Sequence, residues 1–119
     1  MKTWKDLVCE AKKEIGLLQV SEVKAKMDQQ ADFLLIDVRE PEECENGRLP
    51  EAALIPRGII EMTIEDHVKD TKKLIILHCA GGGRSAVAAQ SLKKMGYENV
   101  ASMEGGFKEW TRQGYPIEK

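Results

Sequence analysis

Between residues 72 and 89 the sequence reads KKLIILHCAGGGRSAVAA, and this stretch constrains the fold more than any other. An apolar run this long beside a glycine cluster suits a central β-strand buried on both faces, the environment of a parallel sheet whose faces are covered by helices. The alanine-rich segment that follows, RSAVAAQSLKKMGY, reads as a helix. Val87, Ala88, Leu92 and Met95 are expected to face inward, and Gly96 to cap its C-terminal end.

The rest of the chain repeats this alternation. Trp4, Leu7, Val8, Ala11 and Ile15 fall at helical spacing, which predicts an N-terminal amphipathic helix over 1–16 stopped by Gly16, an addition to a core domain over 17–119. Ser21 is placed to cap a short helix, EVKAKMDQQ, and DFLLIDV reads as a buried strand ending at Asp37 and Val38. Pro41 is placed to start a short helical turn. EAALIP predicts a short strand, RGIIEMTIEDHVKD a helix that helical spacing explains only in part, NVASM another strand and GGFKEWTRQG a closing helix. The expected class is α/β: a central, mainly parallel sheet flanked by helices on both faces, with an added N-terminal helix.

Charge argues against some partners. Eighteen lysine and arginine residues oppose twenty aspartate and glutamate, a net charge of −2, with the signs interspersed. Nucleic acid and anionic membrane surfaces are therefore poor candidates, and no segment approaches membrane-spanning length. The acidic window DVREPEECE reads as a solvated loop and helix start. The three cysteines, Cys9, Cys44 and Cys79, have the spacing of neither a disulfide framework nor paired zinc ligands, which fits a reducing, cytoplasmic setting.

Cys79 stands at the carboxyl end of the central strand, where ligands bind in such sheets. Ala80, Gly81, Gly82 and Gly83 lead into a helix that begins near Arg84. A glycine-rich turn can aim several amide N–H groups into one cradle, and the helix dipole adds to its preference for negative charge. An ordinary thiol with a pKa of about 8.5 is only about 3 % thiolate at pH 7, and lowering that value by about two units makes the thiolate the major form. Arg84 is suited either to hold an anionic substrate group or to brace the loop. A buried, inert cysteine is the competing reading. Dinucleotide binding is another, since Gly81, Gly83 and Ala86 match a permissive glycine pattern with Glu104 about twenty residues on. That acid falls within EGG instead of at a strand tip, and little chain remains for a substrate domain.

Four blocks, LLIDVREPEE, GRLPEAALIPRG, LIILHCAGGGRSAVAA and YENVASMEGGFKEW, together resemble the single-domain rhodaneses, a sulfurtransferase family, over about residues 17 to 117. The resemblance implies a catalytic role for Cys79, a persulfide cycle on that residue, and backbone amides of residues 80 to 84 that stabilise thiolate and persulfide. It implies a small-molecule sulfur donor such as thiosulfate or a persulfide, cyanide or a thiol as acceptor, and a protein acceptor as a further candidate. No metal or organic cofactor is implied. The six residues from Cys79 to Arg84 match the loop length that the superfamily associates with sulfur transfer, one shorter than its phosphatase and arsenate reductase version. Asp37 and Arg39 match a DVR block expected to brace the site, and Trp110 a closing block expected to pack the last helix. A persulfide carrier or partner-binding module is the alternative function.

The sequence also departs from the family pattern. Arg48 stands where histidine is frequent, Glu51 where glycine is, and Cys44 where an aromatic residue is. Cys44 reads as a small core filler, or alternatively as a resolving thiol for Cys79. His78 is expected to point away from Cys79, Arg57 to present charge at the rim, and Glu40 to lie in a solvated turn. No charged side chain lies between Cys79 and Arg84, which suits a small or neutral persulfide at least as well as thiosulfate.

Overall fold

A computed structural model describes residues 1–119. Five helices, α1 (Trp4–Lys12), α2 (Val20–Asp28), α3 (Ile60–His67), α4 (Gly83–Met95) and α5 (Gly106–Arg112), surround five strands. The strands are β1 (Gly16–Leu18), β2 (Leu34–Asp37), β3 (Ala53–Leu54), β4 (Ile75–His78) and β5 (Val100–Met103), in sheet order β1-β5-β4-β2-β3, with every pairing parallel. Short 3-10 turns cover Pro41–Cys44 and Arg57–Ile59.

β4 is central, and all four of its residues are buried. Successive side chains of a strand point to opposite faces. Ile75, Leu77 and Cys79 join one core with Ile60 and Ile64 of α3 and Ala88, Ala89 and Leu92 of α4. Ile76 joins the other with Val20 and Val23 of α2 and Trp110 of α5. His78 therefore lies on the face opposite Cys79. Helices cover both faces, and no helix is long and apolar enough to cross a membrane.

Several local expectations are corrected. The first helix ends at Lys12, and Gly16 opens β1, which adds an edge strand beside β5. A side chain at Gly16 would lie 3.2 Å from the Ala101 Cβ and the Val100 carbonyl, so this glycine permits close strand approach. Thr3 caps α1: its Oγ1 accepts from the Asp6 amide at 3.2 Å, and its amide donates to Asp6 Oδ2 at 2.9 Å. The expected apolar stripe is only partly used, because Ala11 is buried against α4 while Trp4 and Leu7 remain about half exposed. α2 starts earlier than Ser21 predicts, with Gln19 at the cap and its amide donating to Glu22 Oε1 at 2.9 Å. In α4 the inward face is Ser85, Ala86, Ala88, Ala89 and Leu92; Val87 is half-buried and Met95 is exposed. The small side chains let α4 sit close to the sheet on one side and α1 on the other. Gly96 caps α4 at φ 113°, as the sequence predicts.

Candidate active site

The chain leaves β4 at His78 and enters α4 at Gly83, so Cys79 to Gly82 form a four-residue turn at the carboxyl edge of the sheet. Cys79 is 1 % exposed. The Gly82 amide donates to its Sγ at 3.1 Å, and the Ser85 Oγ lies 3.5 Å away. Burial pushes the Cys79 pKa up, but hydrogen bonds from the Ser85 hydroxyl and from the Ser85, Gly82 and Gly81 amides outweigh it, leaving the pKa below the ordinary thiol value. The cradle can therefore hold an anionic sulfur.

Each glycine of the turn serves differently. Gly82 adopts φ 107°, a left-handed conformation that disfavours side chains, whereas Gly81 has open space around it. A Cβ at Gly83 would meet the Trp4 ring at 3.4 Å, so α1 reaches the edge of the loop.

The far side of the turn is fixed by α5. The Phe107 amide donates to the Cys79 carbonyl at 2.8 Å, and the Lys108 amide to the Ala80 carbonyl at 3.1 Å. In a trans peptide the carbonyl and the following N–H point in opposite directions. Anchoring those two carbonyls on α5 consequently turns the next amides away from α5. Gly106, at φ 57°, makes this approach feasible: a Cβ there would lie 2.5 Å from the Cys79 carbonyl oxygen. The Ser85 hydroxyl is in turn 2.8 Å from the Ser102 hydroxyl on β5, and both serines are fully buried.

Asp37 and Arg39 form a buried ion pair beneath the site. Arg39 Nη2 donates to Asp37 Oδ2 at 2.9 Å, Arg39 Nε reaches both carboxylate oxygens at 3.1 Å, and the Arg39 amide donates to Oδ1 at 3.0 Å. The guanidinium also donates to the carbonyls of Glu43 and Gly47 and stacks 4.2 Å over the Phe107 ring. Burial raises the Asp37 pKa, and the Arg39 hydrogen bonds together with the charges of His78 and Arg39 more than reverse this. Arg39 thus ties the loop after β2 to the first turn of α5, which holds the cysteine turn.

Arg84 points across to the loop after β2. Its Nη1 and Nη2 donate to Glu43 Oε1 and Oε2 at 2.7 and 2.9 Å. This fork holds the Glu43 pKa down at about 2, with burial opposing, and raises that of Arg84, to which the Cys79 thiolate also contributes. Of the two roles open to Arg84 in the sequence, bracing is the one this geometry displays.

The remaining residues separate. Arg57 pairs with Glu61 at 2.9 Å, which neutralises the expected rim charge, and Glu40 is exposed at the cap of its turn. Trp110 is fully buried and donates to the Pro116 carbonyl at 2.8 Å. Cys44 is half-buried with its Sγ 3.5 Å from Asp37 Oδ2, and burial together with that carboxylate pushes its pKa up, so it is held as a thiol. Glu51 has φ 64°, the left-handed conformation that explains why glycine suits its position. No group of three or more His, Cys, Asp and Glu side chains is placed to hold a metal ion. Sequence reasoning missed Ser85, Ser102, Glu43 and Gly106. A serine two positions past the last glycine of the turn was the one local signal for Ser85; the others meet the loop only through the fold.

The family described as "Rhodanese-like domain" matches residues 19–113. A sulfurtransferase of Allochromatium vinosum is 35 % identical over 86 residues, covering 72 % of this chain and 78 % of its own length. Among solved structures, a Rhodopseudomonas palustris protein, described as of unknown function and a possible tyrosine phosphatase, superposes with a TM-score of 0.92 at 33 % identity. That match covers 99 % of this chain and 96 % of the other. A thiosulfate sulfurtransferase of Pseudomonas aeruginosa superposes with a TM-score of 0.84 at 27 % identity, over 94 % of this chain and 22 % of that one.

Proposed function

The chain belongs to the rhodanese-like domain family, and from that premise we propose that it is a sulfurtransferase whose nucleophile is Cys79. The observation that carries this reading is the Gly82 amide 3.1 Å from a sulfur whose pKa is lowered despite burial. Amides converging on the end of a side chain suit both thiolate and persulfide, since both place negative charge on sulfur.

The Cys79 thiolate attacks the outer sulfur of the donor. The new S–S bond gives a Cys79 persulfide as the donor's S–S bond breaks. Thiosulfate leaves as sulfite, taking the electron pair; a persulfide RSSH leaves as the thiol RSH, its proton retained and the Cys79 persulfide left as the anion. Cyanide then attacks the terminal sulfur, leaving as thiocyanate and restoring the thiolate; a thiol acceptor leaves as a persulfide. Ala80 to Arg84 form the substrate loop, and Asp37 and Arg39 hold its surroundings. The stretch from Cys79 to Arg84, turn and first residues of α4 together, spans six residues, a cradle sized for one terminal sulfur and small for a tetrahedral oxyanion, which argues against phosphatase chemistry. Three free thiols suit a reducing, cytoplasmic setting.

Incubation with thiosulfate, and separately with glutathione persulfide, followed by cyanide, tests the reading. The protein should gain the mass of one sulfur on Cys79 and release thiocyanate, and Cys79→Ser should do neither. No added sulfur with either donor would overturn it, as would robust hydrolysis of aryl phosphates. Sulfur loaded on Cys79 but released only to a protein acceptor would identify a carrier.

A further inference from the structure

Resting on the sulfur-transfer reading, we propose that Glu43 is a specificity residue that biases the site away from dianionic thiosulfate and toward persulfides, which are uncharged as RSSH and at most monoanionic at the reacting group. Arg84 is the only charged side chain of the loop and so its one full positive charge. Each of its terminal nitrogens donates to one oxygen of Glu43 in a two-point fork. The carboxylate is itself fixed, because Oε1 also accepts from the Glu40 amide at 2.9 Å. A charge-assisted, two-point contact between preoriented groups is costly to displace.

The surroundings act in the same direction. Arg39 is matched by Asp37 and Arg57 by Glu61, so neither offers a free positive charge. The turn that presents Glu43 also carries Glu40, Glu42 and Glu45, all exposed and without salt-bridge partners. A thiosulfate dianion approaching Arg84 meets a neutralised guanidinium framed by carboxylates. A persulfide relies on the amide cradle and, with at most half of thiosulfate's charge, is less affected by this arrangement.

Two donors and two variants separate the electrostatic role from a structural one. kcat/KM is measured for thiosulfate and for 2-hydroxyethyl persulfide at one pH, in the native chain, Glu43→Gln and Glu43→Asp, with folding checked by circular dichroism. Glu43→Gln keeps an acceptor for Arg84 but removes the charge, and should raise the ratio of thiosulfate to persulfide kcat/KM by about tenfold. It should also make the thiosulfate value fall steeply with added salt, as steering of an anion by an exposed cation does. Glu43→Asp should return the ratio to near its native value. An unchanged ratio and unchanged salt dependence in a folded Glu43→Gln would overturn the proposal while leaving sulfur transfer intact. Failure of both donors to load Cys79 in the native chain would overturn sulfur transfer itself, and this proposal with it.

Discussion

At the residue scale the site is a contest between burial and hydrogen bonding on one sulfur. The Ser85 hydroxyl is the largest of the groups that lower the Cys79 pKa, and the Ser102 hydroxyl 2.8 Å behind it keeps it oriented. Removing the hydroxyl leaves burial less opposed, so Ser85→Ala should raise the Cys79 pKa. Thiolate absorbance against pH, in a background lacking Cys9 and Cys44, checks this; an unshifted midpoint would contradict it. His78 is the second case. Its ring is fully buried, with Nε2 3.7 Å from Asp37 Oδ2 and without a hydrogen-bond partner. Burial pushes its pKa below the ordinary value, against the pull of Asp37. The unfolded chain therefore binds a proton at a pH where the folded one does not, so this contribution to stability is complete above the unfolded pKa of about 6.5 and is lost as pH falls below it. Urea midpoints for the native chain should decline between about pH 6.5 and 5, and His78→Phe should flatten that decline.

At the element scale the sequence was most legible where one segment carries its own signal. β4 and α4 follow from an apolar run, a glycine cluster and Gly96. β1 was hidden, because three residues pairing with a single neighbour leave no periodicity, and Gly16 reads equally as a helix stop. Cys79 and its turn were legible; the parts of α5 and β5 that complete the cradle were not, since only the β4-β5 pairing brings them there. Gly106 illustrates this. In sequence it is one glycine of EGGFKEW, while in the fold a Cβ would sit 2.5 Å from one carbonyl oxygen and 2.6 Å from the next. Both neighbours are backbone and cannot yield cheaply, and φ is positive. Gly106→Ala should cost about 3 kcal/mol or more and reduce sulfur loading of Cys79, measured by urea denaturation and intact mass. Glu51 is the converse, a non-glycine residue at φ 64° whose only polar contact is through its amide, 3.0 Å from Glu118 Oε1. Glu51→Gly retains that amide and relieves the conformation, so it should stabilise the chain by about 0.5–1 kcal/mol, read as a higher urea midpoint.

At the scale of the whole molecule, α1 decides whether the domain begins at the sheet or includes a second layer over α4. Its sequence suggests an appendage, and half of its stripe is exposed. Two contacts argue otherwise. Ala11 is fully buried against the face of α4 turned from the sheet, where the small side chains of that helix allow close packing, and the Trp4 ring lies on Gly83 at the entrance to the cysteine turn. Deleting residues 1–12 would expose that face of α4 and uncover Gly83 while leaving every strand in place. Burial of one small side chain and about half of a tryptophan, with their neighbours, corresponds to about 2–4 kcal/mol. The truncated chain should therefore unfold at lower urea concentration, with Trp110 fluorescence as the probe, yet keep the parallel sheet. The loss at Gly83 should extend to the site, giving faster amide hydrogen exchange across Ala80 to Arg84. A truncated chain with an unchanged midpoint and an unchanged loop would show that α1 is an appendage after all, and that α5, Arg39 and the Arg84–Glu43 pair hold the cysteine turn without it.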